Sequence, residues 1–390
     1  MKLSIVSKTF RIHDNPFLDS DIYIIYIDKK EYGPNQKVFL DQVLKLHLQD
    51  LSSHQINPII ITSLRKLSTF VKGKDIDIFV DFFDPLIKMP FSKFHYLPTW
   101  CLIDWTDKVD MIRGWFLPEG LKNHQKFKEY TIANKRNEYQ SKLKKTIPVS
   151  ELKSTYKFST NKSVVPLPDN NLDQWVLTKL HQTSFMNNPS WFKPDTSPTT
   201  SLTNNSEYLP DILKSSKLSP YISLGVLSPV TAYHFYSNEK KMGSSRDQLL
   251  FREIFHACGQ MPEYWDQNQF GQIYHWKEKA TPEWISYING TTGREDVDWA
   301  MKQLKNEGWI HHLARHLVAD YLTRGVLEIS WIEGMNWFKQ TLVDHDKYVN
   351  RGNWMWLSGT AFSTKQRSFY HYNPDNYLKN KDKKLKVNKV

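Results

Sequence analysis

The chain has 390 residues, 40% of them hydrophobic, and a formal net charge of +11. That length buries one large core or two ordinary ones. The positive balance favours a polyanionic partner, nucleic acid first, although lysine outnumbers arginine and part of the charge is diffuse solvated surface. Two cysteines, Cys101 and Cys258, exclude a disulfide framework and lack metal-ligand spacing. With no long apolar segment and no signal peptide, the chain is expected to be soluble, intracellular (nucleus or cytoplasm) and free of protein-bound metal.

The first part alternates β-branched runs with helical ones. Leu3–Val6, Ile22–Tyr26, Pro58–Ile61 and Ile76–Val80 read as strands, and Val38–Leu51 carries apolar residues at helix period. Strands alternating with helices predict a parallel, doubly wound sheet, Rossmann-like, with its ligand edge at the strand carboxyl ends. Residues from about 120 to 170 are charged and poorly periodic, a connecting segment over the surface. Pro189–Ser206 is rich in Pro, Ser, Thr and Asn and reads as a loop. From Ser219 onward the pattern is almost wholly helical. The tail around Lys379–Lys384 is a charge run. The expected organisation is therefore an α/β unit over 1–125, a linker over 126–205, an all-helical unit over 206–378 and a basic tail over 379–390.

Within the helical part, Gly308–His316 places three histidines, an arginine and a tryptophan in one helix with apolar Ile310, Leu313, Leu317 and Val318 at helical spacing. His312 and His316 fall one turn apart on one face. Imidazole moves its proton near neutral pH, so such a pair suits an acid and its hydrogen-bonded supporter. Core histidines satisfied by backbone carbonyls would give the same pattern. The 14 tryptophans exceed what a core readily explains, several lying on polar segments.

An ordered set of further motifs accompanies that helix: Leu218–Gly225, Gln248–Glu253, Leu322–Gly325, Ile329–Met335, Asp344–Asp346 and Asn350–Ser358. Together they resemble the flavin-binding helical domain of the photolyase/cryptochrome family, within it the (6-4) photolyases and animal cryptochromes. The likeness is dense from about Tyr208 to Asn373. It is thin before that, resting on Phe10–Pro16 after the first strand. The chain stops soon after Tyr372–Pro374 and is expected to be a short member lacking most of the family's final helices. Phe251 stands where the family usually has tryptophan, and Arg294–Glu295 replace an aromatic–proline pair.

The resemblance implies an FAD site. Tyr208, Ser215, Ser216, Lys217, Leu218 and Ser219 would lie along the cofactor, the serines at its phosphates where Ser219–Pro220 opens a helix. An ordinary helix cap would look the same. Arg252 and Trp309 would touch the flavin, and Arg315 with Asp344 would form a bidentate ion pair beside the isoalloxazine. Asp346 would meet the ring's pyrimidine edge and Asn350 its N5 side. Trp354, Trp331 and Trp276 correspond to a row of oxidisable indoles, with Trp284 competing for the last place. Gln248, Phe251, His312, His316 and Trp356 would surround a flipped-out lesion, His312 donating a proton supported by His316. The implied activity is light-dependent repair of UV-damaged DNA by a monomer, most closely that of a (6-4) enzyme. A cyclobutane-dimer enzyme and a blue-light receptor are the competing readings. Residues 85–130 show no antenna pocket, so an antenna chromophore stays unassigned.

Overall fold

The computed structural model describes residues 1–28, 30–81, 94–97, 140–182, 216–238, 243–260, 262–265, 276, 277, 279 and 281–360. Tyr208, Ser215, the 189–206 loop and the 379–390 tail lie outside the described residues, as does most of 85–130.

Five parallel strands form the sheet: β1 (Lys2–Val6), β2 (Ile22–Tyr26), β3 (Ile59–Ile61), β4 (Asp77–Asp81) and β5 (Phe94–Leu97), in the order β3-β2-β1-β4-β5. The order reverses at β1, as in doubly wound folds. Strand alternation sends Leu3, Ile5, Ile22 and Ile24 to one face and Val6, Tyr23 and Ile25 to the other. The first face is covered by α2 (Leu64–Val71) through Leu67, Phe70 and Val71. The second is covered by α1 (Pro34–Ser53) through Phe39, Leu40, Val43 and Leu44. The four strands expected from the sequence are present. The fifth, β5, was not expected.

Residues 140–168 run without regular structure along the sheet. Ser154 Oγ accepts from Ile60 N at 3.0 Å, and Thr155 N donates to Ile60 O at 2.7 Å. Inside the interval expected to be linker, α3 (Leu172–Gln182) buries Leu172, Val176 and Leu180. Asp173 on its first turn accepts from the backbone nitrogens of Ile12 and His13 and bonds the His13 ring at 2.6 Å.

The remaining described elements are helical: α4 (Ser219–Ser223), α5 (Pro229–Asn238), α6 (Gly243–Cys258), α7 (Pro282–Asn289), α8 (Glu295–Glu307), α9 (His312–Asp320), α10 (Trp331–Thr341) and α11 (Lys347–Leu357). A π-helical turn, Tyr321–Gly325, extends α9. The core is continuous from the α1 face of the sheet into these helices, joining Phe39 and Leu44 to Ile254, Leu304 and Trp354. Among the described residues, no helix is long and apolar enough to cross a membrane.

Candidate functional site

Short loops bring three helical segments together. The Gly308–His311 stretch leads into α9, the Leu342–Asp346 turn joins α10 to α11, and α4 begins at Ser219. Asp344, buried in that turn, is the hub. Its Oδ2 accepts from Ser219 Oγ at 2.6 Å and Arg315 Nη2 at 2.8 Å. Trp309 Nε1 donates to the same Ser219 Oγ at 3.2 Å, and Arg315 Nε donates to Ile310 O at 2.9 Å. Four residues singled out in the sequence are thus one hydrogen-bonded unit. Two details differ from expectation. The Arg315–Asp344 pair is made through one nitrogen, Nη2, while Arg315 Nε donates to Ile310 O. Ser219 is the first residue of α4 rather than its cap, and its hydroxyl serves Asp344. Lys217 stands beside them with its ammonium 4.8 Å from the Trp309 ring centroid and 3.6 Å from Glu307. Burial lowers its pKa. Leu218 N donates to Ser216 Oγ at 3.4 Å.

Asp346 forms a second centre. Its Oδ1 caps α11, accepting from Tyr348 N and Val349 N at 3.0 and 3.2 Å, and its Oδ2 lies 2.7 Å from His256 Nε2. Burial alone would raise this carboxyl, but His256, Lys8 and Arg252 hold it well below the ordinary carboxylate range. Burial pushes His256 down to about 4, so near neutral pH the ring donates to Asp346 as a neutral imidazole. The expected ring-edge role of Asp346 therefore has to be shared with capping and with His256. Arg252 is buried on α6 among these charges. Asn350, one turn into α11, donates its Nδ2 to Met335 O at 2.9 Å.

Trp354 is almost fully buried, edge-on to Phe338 at 5.0 Å between centroids. It fits against α10 because residue 334 is glycine, and a Cβ there would overlap the Trp354 ring. Trp331, one turn earlier on α10, is also buried. Lys277 bridges Ile329 as a parallel β-bridge, which brings the neighbouring Trp276 alongside the segment leading into Trp331. Trp284 instead packs on Tyr287 at 5.9 Å and Trp337 at 6.5 Å.

The residues expected around a lesion lie on α9, α11 and α6. His312 is exposed and His316 half-buried, their ring centroids 6.1 Å apart and nearly perpendicular rather than stacked. His311 lies closer to His312, at 4.2 Å, and Trp356 meets His316 edge-on at 5.4 Å. Gln248 is exposed and Phe251 half-buried on α6.

Sequence reasoning missed His256, Lys8 and His345. His256 lies four residues after Arg252, on the same helical face, a readable signal. Lys8 lies two residues after β1, at the strand end where a doubly wound sheet reverses.

The family model described as the FAD binding domain of DNA photolyase matches residues 245–387. That part of the chain is similar to the FAD-binding domain of photolyases and cryptochromes. Cryptochrome-1 of Erithacus rubecula is 41% identical over 168 residues, 40% of this chain and 27% of that relative. The (6-4) DNA photolyase of Oryza sativa subsp. japonica is 39% identical over 168 residues, 40% of this chain and 29% of that protein. The match thus spans under a third of each relative's length. Among solved structures, a class III photolyase from Agrobacterium tumefaciens has a TM-score of 0.70 at 18% identity, covering 98% of this chain and 84% of its own. A Synechocystis cryptochrome has 0.68 at 19%, covering 98% and 86%. These likenesses show the fold: a parallel sheet followed by a helical domain.

The residues present suit FAD. Asp344 Oδ1 is buried and has no partner among the described residues. A buried acceptor next to Arg315, Ser219 and Lys217 is a costly arrangement without a ligand donor to meet it.

Proposed function

We propose that the chain, holding FAD, is a light-driven DNA repair lyase acting on the pyrimidine(6-4)pyrimidone lesion. The observation that carries this reading is the ring cluster of exposed His312, half-buried His316 and Trp356. It lies on α9 and α11, the same two helices that carry Arg315 and Asn350. Two imidazoles beside an indole, one of them exposed, suit what an everted pyrimidine pair requires.

Reduced FAD, excited by light, supplies an electron donor. The chain's own residues do the rest. Ser216, Lys217, Ser219, Trp309, Arg315 and Asp344 would hold the cofactor's polar atoms, with Arg252 and Asp346 contributing a fixed field and Asn350 an amide at its reactive edge. Trp356 would stack on an extruded base, while Gln248 and Phe251 line the approach from α6. His312 would place its imidazolium proton on the lesion oxygen and regain it afterwards, with His316 orienting it. Trp354, Trp331 and Trp276 would serve as oxidisable indoles leading outward. We further infer a monomer of two units, 1–125 and 206–378, joined by 126–205.

A second reading, a flavin photoreceptor, is favoured by one observation: the relatives at 40–41% identity are cryptochromes. Illumination of the chemically reduced protein with oligonucleotides carrying either a (6-4) lesion or a cyclobutane dimer tests both readings. Loss of the (6-4) lesion alone is expected. Loss of the cyclobutane dimer alone would move the substrate, and no loss of either at saturating light would reject repair.

A further inference from the structure

The Trp331 ring has a cation on its face. Arg351 is buried on α11, and its guanidinium carbon lies 5.1 Å from the Trp331 centroid and 5.5 Å from the Trp265 centroid. Its Nε donates to Tyr264 O at 2.7 Å, which fixes the group between the two indoles. Trp265 in turn is 40% exposed and anchored by Nε1 donating to Gly259 O at 2.9 Å. A buried, immobile positive charge is therefore clamped between an interior indole and a surface indole.

A cation over a neutral indole is attracted to the electron-rich ring face. Removal of one electron from the ring reverses the sign: the indole becomes a cation, and the attraction becomes repulsion at the same distance. Near 5 Å and out of water, this repulsion is far from negligible.

We propose that Arg351 sets the cost of oxidising Trp331, so that the guanidinium acts as a brake on electron flow along the tryptophan row. The inference rests on the reading of Trp331 as a member of that row. In the step concerned, Trp331 would pass one electron inward by way of Trp354, towards light-excited oxidised FAD, and would be left as an indole radical cation. A soluble thiol at the surface returns the electron and is itself oxidised. Arg351 takes part in neither transfer; it raises the energy of the oxidised indole and is a positioning and tuning residue.

The experiment follows FAD photoreduction under blue light with excess dithiothreitol, and the tryptophan-radical signal by transient absorption, in the FAD-loaded protein. Arg351→Gln is expected to raise the photoreduction rate and radical yield by about tenfold or more, because the opposing charge is gone. Arg351→Lys keeps the charge and is expected to stay close to the starting protein. Arg351→Met removes the charge while keeping a long apolar stem, and replaces the Gln variant should the latter lose FAD or fold poorly. A rate no higher in the uncharged variants overturns the proposal. So does a change in Arg351→Lys as large as in Arg351→Gln, since that would be packing rather than charge. Trp331→Phe should abolish photoreduction; full activity there overturns the tryptophan row and this inference with it. Lesion repair by chemically reduced protein does not use the row, so its outcome judges the proposed function separately.

Discussion

Replacing Asp344 by alanine tests the central network most directly. Its side chain is 3% exposed and accepts from Ser219 at 2.6 Å and from Arg315 at 2.8 Å, Arg315 being 25% exposed. Removing one partner of a fully buried pair costs roughly 3–5 kcal/mol, because the other charge is stranded. Arg315 keeps access to water and its bond to Ile310 O, so the expected cost falls to about 2–3 kcal/mol, including the lost Ser219 bond. Arg315→Ala alone should cost more, about 3–5 kcal/mol, since it strands an almost fully buried carboxylate that already carries an unpartnered oxygen. The double variant should cost less than the sum by about 1–2 kcal/mol, as expected for residues sharing one network. The assay is urea denaturation of the four proteins, with flavin absorbance after gel filtration as the second readout. Both single variants should retain less FAD. Additive costs, or an Asp344→Ala cost well under 1 kcal/mol with full FAD retention, would refute the network as the element that holds this site.

Gly334→Ala drives a Cβ into the Trp354 ring; overpacking of this kind costs about 1–3 kcal/mol, and the near-ultraviolet circular dichroism of Trp354 should change with it. Burial pushes His47 and His345 down to about 3 and His256 to about 4, so the unfolded chain binds these protons first. Stability is then complete above pH 6.5 and falls as pH drops towards 4, by up to about 1.4 kcal/mol per histidine per pH unit, and an acid-unfolding series that stays flat over pH 6.5–4.5 would contradict the assignment. Both ring nitrogens of fully buried His47 lack a partner among the described residues; His47→Leu should therefore stabilise by about 1–2 kcal/mol and soften the acid limb, since no hydrogen bond is lost. His312→Ala, at an exposed position, should leave the melting temperature unchanged while removing most (6-4) repair, measured by lesion analysis after a fixed light dose.

The strands were legible because each face of the sheet is covered, so β-branched runs such as Ile22–Tyr26 stay apolar on both sides. The helix α1 was legible from its period. Phe94–Leu97 was not: its residues carry no alternation of their own, and its pairing with β4 decides that it is a strand. The helix α3 was available at spacing four through Leu172, Val176 and Leu180, but polar neighbours diluted the pattern. Candidate-site residues separate in the same way. Arg315 and Asp344, 29 positions apart, were found through an ordered set of motifs, since no local pattern pairs them. The His256–Asp346 bond spans 90 positions and depends on how α6 meets α11, which no short window encodes. Nothing local marks Arg351 as buried; its burial comes from packing beside Trp331 and Trp265.

The sheet half of the chain does more than sit beside the candidate site. The amino-terminal turn of α1 reaches across to the Leu342–Asp346 turn. There, Gln36 Nε2 donates to His345 O at 2.6 Å and Asn35 Nδ2 to Thr341 O at 2.8 Å. Gly33 has its Cα so close to Lys339 O that any side chain would overlap the carbonyl. Lys347 pairs with Glu31 at 3.3 Å, and Val343 N donates to Gly308 O at 2.8 Å from the helical side. A second close approach, of Gly225 to the Lys8 carbonyl at a φ of +66°, locks the loop after β1 to the end of α4. The turn carrying Asp344 and Asp346 is therefore gripped from both halves. A carboxylate must be held against thermal wandering to keep a single-nitrogen ion pair and a single-hydroxyl bond in place, since each bond alone is worth only about 1–3 kcal/mol. The grip supplies that restraint through backbone contacts that no ligand needs to make. Because the same core runs through both halves, the sheet would not melt independently of the site, and the geometry at Asp344 depends on α1 as directly as it does on Arg315.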